Sequence, residues 1–227
     1  MPDNTPNAEL MHALGRLVRG LSALFWGLPL ALVLGVQTAK TDWLLPFTFT
    51  PPLVAGGLLL FALLQMSHFN KQERIWTAAL DRAKLLATIM TGLSPFLYWW
   101  RQLPNLSFYS QVVLILAFSS LLFLLSINQV LQRLTAMLPD EGLRQEIRMF
   151  SSLNIYLVLI VILLLGLFLL ILNLRPQSSL LFPLLALLDH ISRWFLVFTV
   201  LLPVAITMAL VWKIKEVILT SIFGPAS

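Results

Sequence analysis

Residues 155–174 read IYLVLIVILLLGLFLLILNL and are long enough and apolar enough to cross a lipid bilayer. A helix needs about 20 predominantly apolar residues to cross the hydrocarbon core. The stretch has no charged residue, and hydrocarbon offers no water to bond exposed backbone groups, so we expect a helix. Gly166 is the one small residue, so this helix is apolar on every face and should face lipid.

Further apolar segments repeat this pattern along the chain. They are residues 20–36, 53–66, 85–100, 108–127 and 194–212. The sequence therefore predicts an all-α integral membrane protein, a bundle of about six transmembrane helices formed by residues 20–212. Pro29, Pro95 and Pro203 lie inside these segments, and each should kink its helix because proline removes a backbone donor.

The composition of the whole chain agrees with a membrane protein. Of its 227 residues, 59% are hydrophobic and 11% are charged, and the mean hydropathy is +0.88. Soluble domains carry about 25% charged residues, so the composition excludes a soluble globular protein and a disordered chain. The absence of cysteine excludes disulfides, thiolate metal sites and cysteine nucleophiles. We expect no cofactor, because the sequence has no metal-binding or phosphate-binding motif.

The lysines and arginines are unevenly divided between the two sides of the predicted bundle. Eleven lie in the N-terminal segment, the second and fourth loops and the C-terminal tail, against four on the other side. Cytoplasmic segments carry the excess of basic residues, so residues 1–19 and 213–227 should both be cytoplasmic, in a plasma membrane or a bacterial inner membrane. Trp76 and Trp212 would then lie at the inner boundary. The basic residues are scattered, so we expect no nucleic-acid partner.

Three polar segments between the spans have helical features, which predicts helical cytoplasmic loops and an outer interfacial helix. Residues 70–84 mix apolar and charged residues at helical spacing, and this helix can run on into the third span. Asp140 and Glu141 fit a helix start, because acidic residues favour the positive end of the helix dipole. Residues 180–212 are too long for one upright span, so we expect 180–193 to lie at the outer interface. A single, strongly tilted helix is the alternative.

Small residues recur at every fourth position along three predicted helices. This small-residue ridge consists of Ala23, Gly27, Ala31 and Gly35 on the first span and of Ala83, Ala87 and Thr91 on the third. Thr199, Pro203 and Thr207 repeat the spacing on the sixth. Small side chains let membrane helices approach each other closely. The ridge therefore predicts helix packing, either inside the bundle or against a partner subunit.

Asp189, His190 and Arg193 form the best candidate cluster of ionisable residues for binding. Asp189 and Arg193 are neighbours at i, i+4 on a predicted helix. Together with His190 they could hold a lipid headgroup or a partner's charge at the outer surface. The alternative is an interfacial ion pair, which contributes only a few tenths of a kcal/mol.

Three classes of function fit these features. The first is a non-catalytic membrane subunit or scaffold, whose partners are the lipid bilayer and either another membrane protein or a second copy of the chain. The second is a small transporter or channel without ion-coupling carboxylates, which would need a polar groove formed by Gln65, Thr91, Gln111 and Ser119. The third is a lipid-acting membrane enzyme, which would bring Asp189, His190 and Arg193 close to Asp42 or Arg101. The centres of the predicted spans hold no ionisable residue, which disfavours ion-coupled transport, and the short loops and packing ridge favour the first class.

Overall fold

The chain is described as a computed structural model over residues 5–41, 45–69, 73–137, 141–173 and 200–220. Within these ranges the backbone forms α-helices, one short 3₁₀ turn at Leu45–Phe47 and no strand. The helices are α1 (Thr5–Lys40), α2 (Thr50–Met66), α3 (Arg74–Leu93), α4 (Phe96–Gln102), α5 (Ser107–Ala136), α6 (Glu141–Asn173) and α7 (residues 200–220). The prediction of an all-α fold is confirmed.

Three of the described helical segments are long enough and apolar enough to cross a membrane. They are Met11–Lys40, Ser107–Ala136 and Arg144–Leu167, and α2 is a further apolar helix of 17 residues. These segments support a membrane location and correspond to the first, fourth and fifth predicted spans. The segment 180–193 and the first residues of the sixth predicted span lie outside the described residues. The number of six spans therefore stays a prediction.

The third predicted span is divided at Pro95 into α3 and α4. Proline has no N–H group, so Pro95 cannot donate a hydrogen bond to the carbonyl of Thr91 one turn earlier. The hydroxyl of Ser94 donates to that carbonyl instead, with an Oγ–O distance of 2.9 Å. The chain then continues through tighter bonds, from Leu97 N to Ser94 O and from Tyr98 N to Pro95 O. By contrast, α1 stays helical through Pro29.

Helix α5 lies at the centre of the described packing, in contact with α3, α4 and α6. Helix α1 packs along α2 and also touches α4, and α2 packs on α3. Neighbours in sequence are thus neighbours in space, as short connections between antiparallel helices require. The core includes Phe123, Ile127 and Leu131 of α5, all fully or almost fully buried.

The two tryptophans predicted to lie at the inner membrane boundary have different surroundings. Its side chain is fully buried in the core, and its Nε1 atom has no hydrogen-bond partner among the described residues. Trp212 is about half exposed, as expected for a boundary residue, and Lys215 Nζ lies 5.2 Å from its ring centroid. The depth of both residues in the membrane stays a prediction, and the structure adds which of them faces the core.

Helix α6 begins at Glu141, where the acidic pair predicts a helix start, and runs without a break into the fifth predicted span. Its buried residues form one narrow stripe: Ile147, Ser151, Asn154, Val158 and Val161. These positions alternate by four and three residues, the spacing of a helix that packs along another with a small crossing angle. The remaining described faces expose large apolar side chains such as Leu159 and Leu163. The helix is therefore lipid-accessible on most of its circumference rather than on every face.

Candidate functional site

Four polar side chains are buried together where α5, α6 and α7 meet. This polar cluster consists of Asn128 on α5, Ser151 and Asn154 on α6, and Thr207 on α7, and each of them is fully buried. Two of the four residues, Ser151 and Asn154, belong to the buried stripe of α6, and its four-and-three spacing places them on the face that packs against α5. A bilayer interior makes an unbonded polar group costly, so the internal hydrogen bonds of the cluster matter for the bundle.

Asn154 makes the hydrogen bonds that join all three helices. Its Nδ2 atom lies 2.8 Å from Thr207 Oγ1, 3.1 Å from Asn128 Oδ1 and 3.2 Å from the carbonyl oxygen of Pro203. An amide nitrogen carries two protons, so it can satisfy two of these three acceptors at once. The Asn154 Oδ1 atom has no hydrogen-bond partner among the described residues.

The other members of the cluster bond mainly to their own helices. Thr207 Oγ1 donates to the carbonyl of Pro203 at 2.7 Å, and Asn128 Nδ2 donates to the carbonyl of Leu124 at 2.8 Å. Longer contacts of 3.4 Å join Asn128 Nδ2 to Thr207 Oγ1 and Ser151 Oγ to the Asn128 carbonyl. Interhelical bonds of this kind in membranes contribute about 0.6 kcal/mol on average and up to about 2 kcal/mol.

The sequence-based prediction missed the asparagines of this cluster. The fourth predicted span ends at Ile127, one residue before Asn128, and the fifth begins at Ile155, one residue after Asn154. Thr207 does belong to the predicted spacing on the sixth span. A usable pattern is present in retrospect: Ser151 and Asn154 fall on the same face as Val158, at the spacing of a buried stripe.

The members of the small-residue ridge lie in different surroundings. Gly27 is buried against α2, where an added Cβ would lie 2.8 Å from Leu59 Cδ2. Ala83 and Ala87 are fully or almost fully buried on α3, and Ala23 packs against the core. Thr91 lies against Gly56, so that a Cβ at position 56 would be 2.5 Å from Thr91 Oγ1. The role of the ridge in binding a partner stays a prediction.

Ala31 and Gly35, the last two ridge residues of α1, line a cavity of about 290 Å³. Helices α1 to α5 all contribute to its walls, which are mainly apolar. The hydroxyls of Ser94 and Ser120 also line it, but they donate to the carbonyls of Thr91 and Leu116 in their own helices. The cavity therefore offers an apolar surface rather than a polar one.

The cavity is not the polar groove that a transporter would need. None of Gln65, Thr91, Gln111 and Ser119 lines it. Gln111 is exposed, whereas Ser119 is buried. Gln111 and Ser119 therefore differ in exposure, and the four residues do not share this cavity.

The ionisable candidates Asp189, His190 and Arg193 lie outside the described residues, as does Asp42. Arg101, the other residue considered for an enzyme site, donates from Nη1 to the carbonyl of Thr41 just beyond the C-terminus of α1. In the described part of the chain, no three His, Cys, Asp or Glu side chains are grouped so that they could hold a metal ion.

The chain was also compared with known proteins. No protein-family model, no curated protein and no solved structure matches it.

Proposed function

We propose that this chain is a non-catalytic, multi-pass membrane subunit or scaffold with six spans and both termini in the cytoplasm. The polar cluster is the observation that supports this role most directly. The donors of Asn128, Ser151, Asn154 and Thr207 all bond to other groups of the same bundle. Donors that are already bonded within the bundle are not offered to a substrate, and those of Ser151 and Asn154 join neighbouring helices. The exposed apolar faces of α6 suit contact with lipid or with another membrane protein.

The experiment that tests this role is purification from native membranes in a mild detergent through a C-terminal tag, followed by mass spectrometry. A stoichiometric membrane-protein partner that resists washing is the expected result. Recovery of the chain alone, as a homo-oligomer that carries a small molecule, would contradict a subunit role. That result would support the alternative of a small carrier.

The proposed orientation can be tested separately, because the natural chain has no cysteine. Single cysteines introduced as Asn4→Cys and Ser227→Cys should react with a membrane-impermeant maleimide only after the cells are permeabilised. Asn105→Cys, between α4 and α5, should react in intact cells and serves as the control. If Asn4→Cys stays protected but Ser227→Cys reacts in intact cells, the two ends lie on opposite sides of the membrane. The number of spans would then be odd, which would contradict six spans.

A further inference from the structure

The cavity lined by α1 to α5 is a partly open pocket with a volume of about 290 Å³. Ligand pockets begin at about 300 Å³. Its size therefore suits a narrow ligand such as a single hydrocarbon chain.

Small side chains on facing helices leave this space open. Ala31, Gly35 and Ala39 of α1 face the cavity from one side, and Ala117 of α5 lines it as well. An added Cβ at Gly35 would meet only Leu97 Cδ1, at an ordinary contact distance of 3.9 Å. Gly35 is thus not needed for close helix contact, in contrast to Gly27, and a larger side chain would fill the cavity.

One end of the cavity carries a positive charge. Lys40, in the last turn of α1, lines it together with Trp100 of α4. Arg101 is held at the same end by its hydrogen bond to the Thr41 carbonyl. Tryptophan, lysine and arginine are characteristic of the level where lipid headgroups begin, and a basic side chain there attracts the negative charge of an anionic headgroup.

We infer that the cavity binds one acyl chain of an anionic phospholipid, whose phosphate lies near Lys40. The apolar walls would bury the methylene groups, and the ammonium of Lys40 would compensate the headgroup charge. This inference goes beyond the proposed function, because a structural lipid could bind in the same place in a subunit or in a carrier.

The test uses the full-length protein in detergent micelles and phosphatidylglycerol with a photoreactive diazirine on one acyl chain. After irradiation, mass spectrometry identifies the labelled peptides. We expect labelling of residues 31–40 of α1 and 113–120 of α5, and we expect unlabelled phosphatidylglycerol to compete for it. Labelling confined to the exposed faces of α6, or labelling of the cavity without competition, would overturn the inference.

Gly35→Leu is the decisive variant, since it fills the cavity without a backbone clash. We expect about tenfold less labelling of the cavity, the loss that corresponds to about two methylene groups that can no longer be buried. Gly166→Leu on α6, where an added Cβ has no neighbour within 4 Å, is the matched control and should leave the cavity labelling unchanged. Unchanged cavity labelling in a folded Gly35→Leu protein would show that the chain is bound elsewhere.

Lys40→Gln tests the headgroup contact separately from the acyl chain. The wild-type protein should favour phosphatidylglycerol over phosphatidylcholine, and the variant should lose up to about fivefold of this preference, as expected for an exposed ion pair. Labelling by phosphatidylcholine should change less, because its own quaternary ammonium offsets the charge of its phosphate. A wild-type protein that labels equally with both lipids, or a preference that survives the substitution, would contradict the assignment of the phosphate to Lys40.

Discussion

The α1–α2 interface and the interface of α5, α6 and α7 are both buried, but different interactions hold them together. At the first, Gly20 and Gly27 allow α1 to lie almost against the backbone and leucine side chains of α2. At the second, the polar cluster joins three helices through hydrogen bonds. Lipid is as apolar as the helices, so burial of apolar surface drives association weakly in a membrane. Close packing and hydrogen bonding can hold membrane helices together instead. The α1–α2 interface uses close packing, and the interface of α5, α6 and α7 uses hydrogen bonds.

The largest effect should come from Gly20→Val, because the clash at Gly20 involves backbone atoms that cannot move aside. An added Cβ would lie 2.8 Å from the Ala62 carbonyl oxygen and 3.2 Å from Met66 N. We expect a loss of about 3 kcal/mol in the free energy of unfolding, measured by titration with sodium dodecyl sulfate. Gly15→Val on the same helix has no neighbour within 4 Å and should be almost neutral. Equal losses for both variants would disprove close packing at Gly20.

Gly27→Leu should cost less, about 2 kcal/mol. The nearest atom to an added Cβ is Leu59 Cδ2, the end of a flexible side chain that can turn away. Gly166→Leu provides the control, since it faces open space, and its effect should be within about 0.5 kcal/mol of zero. The same unfolding titration distinguishes the two. If both leucines were equally tolerated, the ridge on α1 would have no packing role at this position.

At the other interface, Asn154→Leu should lower the unfolding free energy by about 1.5 kcal/mol. The substitution keeps the branched shape of the side chain and removes the bonds to Asn128 and Thr207. A double-mutant cycle with Thr207→Val sharpens the comparison, because residues that share a hydrogen bond lose less together than separately. Strictly additive losses would mean that the 2.8 Å contact between the two side chains contributes nothing.

The smallest effect should follow from loss of the ion pair between Glu146 of α6 and Lys213 of α7. Both side chains are about 40% exposed, so water screens their attraction. Glu146→Gln should therefore cost about 0.5 kcal/mol and should cost less at high salt. A loss as large as that of Asn154→Leu would show that charge, rather than the buried amides, holds these helices together.

Helical structure could be predicted from sequence because hydrocarbon leaves the backbone no alternative. The division at Pro95 follows from the missing N–H group of proline. The far end of α5 at Ala136 was not predicted, nine residues beyond the last predicted span residue. Hydropathy reports where a helix leaves the apolar layer, whereas helical hydrogen bonding continues into water.

The partners of buried side chains were much harder to predict. Asn154 and Thr207 are 53 residues apart, and no local pattern states that their helices touch. The ridge residues show the same limit: Gly27 and Gly35 share a spacing on α1, yet one packs on Leu59 and the other lines a cavity. Residue spacing shows which residues share one face of a helix. What that face contacts depends on where the neighbouring helices lie.

The length of α1 exceeds the thickness of a bilayer. The helix runs unbroken over 36 residues, about 54 Å at 1.5 Å per residue, whereas the hydrocarbon core is about 30 Å thick. In the proposed orientation, with Lys40 near the outer headgroups, an upright α1 would extend roughly 24 Å, or about 16 residues, past the inner boundary. Its N-terminal part would then be a stiff helical spacer that holds the start of the chain away from the membrane surface.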